Sequence, residues 1–164
     1  MKGVLPSRSS ARSEAPELVC RAVTHGPERA AHHAIRRAVF VEEQAVFAGD
    51  DDDARDALPT TVHVLGLVDG VPAGTVRFYP LDAEPGLWKG DRLAVLPEFR
   101  YAGVGRPLVR FAVATAGRLG GSRMVAQIQP ANVRFFTALG WTALGAPADY
   151  LGILHQQMSI ELVP

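Results

Sequence analysis

Residues 92–105 read Arg92-Leu93-Ala94-Val95-Leu96-Pro97-Glu98-Phe99-Arg100-Tyr101-Ala102-Gly103-Val104-Gly105. Strand-forming residues run up to Leu96, and Pro97 ends the strand. A loop with two glycines follows, and Pro107 suits the first turn of a helix, where its missing N–H is not needed. The first N–H groups of a helix have no partner within it, and glycine lets the main chain approach a ligand closely. Strand, glycine loop and helix start in this order describe a cradle for a phosphate or pyrophosphate. Two other cradles do not fit. Leu108 stands where the dinucleotide fingerprint needs its third glycine, and Gly105-Arg106-Pro107 replaces the Gly-Lys-Ser/Thr of the Walker loop. The glycine spacing alone also suits an ordinary strand-to-helix turn.

On the N-terminal side, residues 18–23 read as a strand and residues 27–43 as a helix whose Ile35, Ala38 and Val39 face the core. Residues 47–58 form a loop with aspartate at 50–53 and 56. Residues 62–68 and 73–81 are strands joined at Asp69-Gly70, a dipeptide that suits the type I′ hairpin turn. Residues 87–96 form the next strand. Past the cradle, Leu108, Val109, Ala112, Val113, Ala116 and Leu119 make a helical stripe that Gly120-Gly121 stops. A strand at 124–128, a short helix at 132–139 and strands near 142–146 and 153–163 complete the chain. The order predicts one mixed α/β domain over residues 18–164, with antiparallel hairpins early and a β-α-β unit later. Residues 1–17 read as a disordered tail.

A length of 164 residues favours one domain. Lysine plus arginine and aspartate plus glutamate each total 17, and this neutrality argues against a nucleic-acid or membrane-surface binder. No apolar run approaches the ~18 residues of a membrane span. Cys20 is the only cysteine, so an intramolecular disulfide and a cysteine zinc site are excluded. It reads as a small buried apolar residue.

Arg100-Tyr101-Ala102-Gly103-Val104-Gly105 resembles the Arg/Gln-x-x-Gly-x-Gly/Ala signature of the GNAT superfamily of acyl-CoA-dependent N-acetyltransferases. Leu93-Ala94-Val95-x-Pro97 is similar to that family's central strand, and the run Asn132 to Trp141 to its second signature. The segment from Val39 to Gln44 with the aspartate loop, and that from Gly152 to Met158, resemble the bacterial branch typified by ElaA. The resemblance implies a mostly antiparallel mixed sheet flanked by helices. It implies transfer of an acetyl group from acetyl-CoA to a primary amine of a small molecule or peptide, by direct attack and without a metal. The branch and the need for CoA imply a bacterial, cytoplasmic protein, as do the lone Cys20 and the lack of an apolar signal. A homodimer is also an expectation, since dimers are common in the family.

By the same resemblance, Leu93, Ala94 and Val95 hold the pantetheine arm through their backbone, and Arg100, Tyr101, Ala102, Gly103, Val104 and Gly105 hold the pyrophosphate. Arg100 and Arg106 add charge there, and Asn132 contacts the arm near the thiol or caps its own helix. A backbone N–H of Ala94 or Val95 serves the oxyanion. Phe136 stands where many relatives carry a tyrosine acid, so Tyr150 is its candidate replacement. Lys89 stands where many carry a glutamate, so Asp91, Glu43, His63 and His155 are candidate bases. The loss of that tyrosine motivates a second reading, a weak or inactive acyl-CoA-binding module. A third, an acylhomoserine-lactone-synthase-like enzyme, shares the fold.

The spacing at Asp50 to Asp53 lacks the alternation, glycine and late glutamate of a calcium loop. This loop is expected to be solvated and to steer a cationic amine. His32 and His33, adjacent on a helix, read as surface. Residues 41–60 carry a net charge of −6 and residues 87–125 of +5, so neutrality looks like the sum of an acidic acceptor side and a basic CoA side.

Overall fold

The computed structural model describes residues 14–164; most of the expected tail lies outside the described residues. Residue 17 is already tied to the sheet, because Glu17 and Asp69 exchange two hydrogen bonds of 2.9 Å. The strands are β1 (Leu18–Val23), β2 (Val62–Val68), β3 (Val71–Pro80), β4 (Leu87–Val95), β5 (Arg123–Ile128), β6 (Thr142–Ala143), β7 (Ala148–Tyr150) and β8 (Ile153–Glu161). The helices are α1 (Gly26–Arg36), α2 (Gly105–Arg118) and α3 (Val133–Ala138). Strand order is β1-β2-β3-β4-β5-β8-β6, with β7 paired to β8. Every pairing is antiparallel except β4 with β5. The expected mixed, mostly antiparallel sheet is what forms.

Asp69 and Gly70 both take positive φ, 49° and 79°, as a type I′ turn requires. Side chains then alternate across β3. Val76 and Phe78 face α2 with Trp88, Met124 and Leu108, while Thr75, Arg77 and Tyr79 face the other way. That second face is covered by α1 and its continuation Arg37–Glu43, which winds as a wider π-helix and buries Val39 and Phe40. Of the three residues expected to face the core, Ile35 and Val39 are buried there with Leu65, Leu67 and Ala94, and Ala38 is partly buried.

Gly66 and Gly74 are cross-strand partners under the start of α2. A Cβ on Gly66 would lie 3.0 Å from Val104 Cγ2, and one on Gly74 would lie 2.9 Å from both Leu108 Cδ1 and the Ala94 carbonyl. This bare patch lets Val104 and Leu108 seat the first helical turn against the sheet, which fixes where the glycine loop stands.

Two expectations change. Leu119 is 57% exposed because it lies past the last turn of α2, at its C-cap. The three-residue β7 is absent from the sequence reading, because a strand that short carries too little alternation to register.

Candidate functional site

β4 and β5 pair only through Leu87, Trp88 and Lys89 with Arg123, Met124 and Val125. Beyond Lys89, β4 follows β3 and β5 follows β8, and the sheet opens. The main-chain edge of Gly90 to Val95 therefore has no strand partner on the β5 side, and alternate N–H and C=O groups face the gap. A bulge sharpens the opening. Register shifts between Thr75 and Arg77, and Arg92 opposite them takes φ 52°, rare for a side chain of its size. Thr75 Oγ1 donates to the Arg92 carbonyl at 2.9 Å, and the Arg92 guanidinium is held by Asp51, so the surroundings fix this strained residue.

The gap is a cleft through the sheet. On the α2 and α3 side its walls include Val109, Ala112, Phe136 and Trp141. On the α1 side they include Phe40, Phe47, Lys89, Asp91, Tyr150 and His155. Gln129 Nε2 donates to Gln44 Oε1 at 3.2 Å, a link between the end of β5 and the end of the π-helix. The cradle lies at the foot of the helix beside the cleft. Pro97–Ala102 forms 3-10 turns, and Gly103 takes φ 74° before α2 begins. Val104 provides no side-chain cap, so the N–H groups of Gly105 and Arg106 lack the usual satisfaction, and Pro107 has none. An uncapped helix start of this length beside a polar cleft edge fits an anion. Arg106 enters no salt bridge among the described residues.

The candidate side chains divide. Tyr150 and His155 come together, their rings edge to face at 5.3 Å. Tyr150 OH accepts from Lys89 Nζ at 3.0 Å. His155 is 6% exposed, and its Nδ1 lies 2.8 Å from the Ile153 carbonyl. Only an N–H can face a carbonyl, so in the neutral ring Nε2 is the acceptor nitrogen. Phe136 is buried against Phe135 and Trp141, as an apolar wall. Asn132 lies at the N-cap of α3 with no side-chain cap hydrogen bond, so the capping role expected for it is not made, and its side chain lines the cleft. Leu93 lines the cleft as well, and Ala94 packs toward α1. Tyr101 is exposed and Ala102 partly buried on the cradle turn.

Arg100 and Glu43 find each other instead. Arg100 donates to both carboxylate oxygens of Glu43, at 2.9 and 2.5 Å, and its Nε donates to the Val95 carbonyl at 3.1 Å. The Arg100 hydrogen bond holds the Glu43 carboxyl below its usual range. This pair ties the π-helix to the cradle and leaves neither residue as a free acid, base or phosphate ligand; Glu43 does not line the cleft. Asp91 does, but Arg77 donates to both of its oxygens at 2.8 and 2.7 Å, and Tyr79 OH approaches at 3.3 Å.

Asp91 belongs to a buried ionic network that corrects the solvated-loop expectation at Asp51 and Asp56. Arg36 and Arg77 have no solvent exposure, and Asp51 is 2% exposed. Asp51 bridges Arg36 and Arg92 at 2.7 and 2.8 Å. Asp56 bridges Arg36 and Arg77 at 2.7 and 3.0 Å, and Asp53 pairs with Arg77 at 2.6 Å while capping the turn Ala54–Ala57. Arg36, Arg77 and Arg92 fold the loop onto the sheet by drawing Asp51 and Asp56 inward, while Asp50, Asp52 and Asp53 keep exposed side chains. The available signal was Arg77 amid the alternation Thr75-Val76-Arg77-Phe78-Tyr79, a charge fixed by strand period on one face.

His32 is buried, not surface. Its Nδ1 meets the Val64 carbonyl at 3.0 Å and its Nε2 meets His63 Nδ1 at 3.3 Å. Burial, with Arg36 and His63 alongside, pushes His32 down to about 2, and burial, with Arg29 alongside, pushes His63 down to about 4. His63, a candidate base, does not line the cleft. His33, Asp56 and His63 bring ligand-type atoms within 4.8 Å of one another. Arg29 Nε already donates to His33 Nε2 at 2.8 Å, and Arg36 and Arg77 occupy Asp56. Burial pushes the Cys20 thiol up to about 11, which keeps it an inert thiol at neutral pH. No helix among the described residues is long and apolar enough to cross a membrane.

The sequence matches the Acetyltransferase (GNAT) family over residues 28–141. A Bacillus subtilis (strain 168) protein provisionally named as an acetyltransferase, BSU40680, is 29% identical over 126 residues, spanning 76% of this chain and 84% of that protein. The crystal structure of Escherichia coli ElaA superposes with a TM-score of 0.75 at 20% identity, covering 88% of this chain and 98% of that one. The CoA-dependent acyl-homoserine lactone synthase BjaI, solved with SAM and isopentyl-CoA, superposes with a TM-score of 0.71 at 18% identity, covering 89% of this chain and 84% of that one. At such identities the two structures speak for a shared fold.

Proposed function

The chain belongs to the acetyltransferase (GNAT) family, and from that premise we propose that it transfers an acetyl group from acetyl-CoA to a primary amine. The observation that supports this reading most is the opening of the sheet after Lys89, with an unpaired strand edge on one side and an uncapped helix start at its foot. Gly105 and Arg106 N–H groups, with the Arg106 guanidinium, bind the diphosphate; Gly103 and the turn Arg100 to Val104 shape that seat. The β4 edge from Leu93 to Val95 holds the pantetheine arm, and Asn132 approaches it from α3.

The thioester supplies an activated carbonyl, and the residues manage charge and protons around it. A β4 backbone N–H beside the bulge donates to the carbonyl oxygen as it becomes an oxyanion. His155 Nε2 takes the proton that the attacking amine loses. Tyr150, whose oxygen already accepts from Lys89, keeps its own O–H free to protonate the departing sulfur. Tyr150 thus fills from β7 the role that Phe136 cannot fill from α3.

Tyr150→Phe removes only that hydroxyl. It is expected to lower kcat roughly a hundredfold or more, with acetyl-CoA affinity unchanged, in an assay of thiol release over a panel of amines. Unaltered kcat would remove Tyr150 from the reaction. Tight acyl-CoA binding with no thiol release by the wild type on any amine would favour the binding-module reading that Phe136 motivates.

A further inference from the structure

Among the described residues, one cation of the cleft has no ionic partner. Its ionisable lining consists of Lys89, Asp91, Arg92, Tyr150 and His155. Asp91 is saturated by Arg77, and Arg92 by Asp51. The network behind them pairs Asp51, Asp53, Asp56 and Asp91 with Arg36, Arg77 and Arg92 and does not reach Lys89. Lys89 stands apart. Its Nζ has Tyr150 OH at 3.0 Å and the Tyr150 ring face at 5.0 Å, and among the described residues it enters no ion pair.

An ammonium has three N–H donors, and Tyr150 takes one. Lys89 is half-buried, on the α1 face of β4 beside Tyr150 and His155. The other polar walls nearby, Gln127, Gln129 and Gln44, are neutral. A second cation in this space would repel Lys89, while a carboxylate would complete it with a charge-assisted hydrogen bond. We propose that the acceptor is a small amine that also carries a carboxylate, of the amino-acid class, and that Lys89 binds this carboxylate and so presents the amine to His155. The proposal rests on the acyl-transfer reading and reverses the cationic acceptor that the acidic loop suggests on sequence alone.

The test titrates CoA-saturated protein calorimetrically with a panel of small amino acids, α- and ω-amino, each beside its own carboxamide. At least one acid is expected to bind tenfold or more tightly than its amide. Lys89→Met should bring that ratio to about one, and Lys89→Glu should invert it in favour of the amide. A role of Lys89 in merely holding Tyr150 would weaken acid and amide alike and leave the ratio in place. An equal response to acid and amide, or no response to any acid, overturns the proposal. Thiol release from acetyl-CoA with the same pairs separates the two readings. Acid preference in binding without release removes the transfer and leaves the carboxylate site. Release at equal rates from acid and amide removes the site and leaves the transfer.

Discussion

Replacing Arg77 by methionine is expected to lower the unfolding free energy by about 3–5 kcal/mol, or roughly 6–20 °C in Tm for a domain of this size. Arg77 is fully buried and donates to Asp53, Asp56 and Asp91. Its loss strands Asp56 and Asp91, which the fold has largely taken out of water, and the larger part of the penalty is their lost compensation. Asp52→Asn makes the contrast. Asp52 is mostly exposed and its closest ionic partner is His33, so this change should stay within ~0.5 kcal/mol.

The same network gives the protein an acid limit. Burial alone would raise the Asp53 and Asp56 carboxyls, but hydrogen bonds from Arg77 and Arg36 outweigh it and hold both below the usual range. Their contribution is complete above about pH 4 and is lost as the pH falls below that. His32 and His63 act in another window. The unfolded chain binds their protons from about pH 6.5 downward, while the folded chain keeps both neutral until about 2 and about 4. Stability therefore declines from pH 7 towards 4, and then declines further as the carboxylates protonate. Urea midpoints between pH 7.5 and 3 should fall in these two stages, with the lower stage much reduced in Arg77→Met. A flat wild-type profile between pH 7 and 5 would contradict the buried neutral imidazoles.

Gly105→Asp is expected to separate fold from binding. An added Cβ would meet Phe135 Cζ at 3.7 Å and Val95 Cγ2 at 3.9 Å, which is ordinary contact. A carboxylate in the first turn of α2 suits the helix N-terminus by about 0.3–1 kcal/mol, so stability should hold or rise slightly. The same charge would sit at the proposed diphosphate seat, and acyl-CoA affinity should fall roughly a hundredfold, about 2.7 kcal/mol. Gly103→Ala behaves differently, because φ 74° is costly for any residue with a Cβ. It should lose stability and affinity together. If Gly105→Asp kept full affinity, the cradle would have to lie elsewhere.

The junction of strand, glycine loop and helix was legible because it is local. Strand end, proline, glycines and helix start lie within one stretch, and each residue states its own constraint. The Asp69-Gly70 hairpin was legible for the same reason. What escaped was long-range pairing. Nothing near Asp51 or Asp56 announces that Arg36 and Arg77 will bury them, so four adjacent aspartates read as solvated. Glu43 and Arg100 each looked available until the fold put them opposite one another. Tyr150 was named for its chemistry, yet its place beside Lys89, 61 residues away, came from a strand of three residues that sequence periodicity does not reveal.

The central claim is that the opened sheet binds acyl-CoA by the N-terminus of α2 and the free edge of β4. Calorimetric titration of the wild type and Gly105→Asp with acetyl-CoA tests it most directly. One saturable site per wild-type chain, weakened roughly a hundredfold in the variant while both unfold at the same temperature, is the predicted result. No binding of acetyl-CoA, CoA or longer acyl-CoAs to the folded wild type would contradict it.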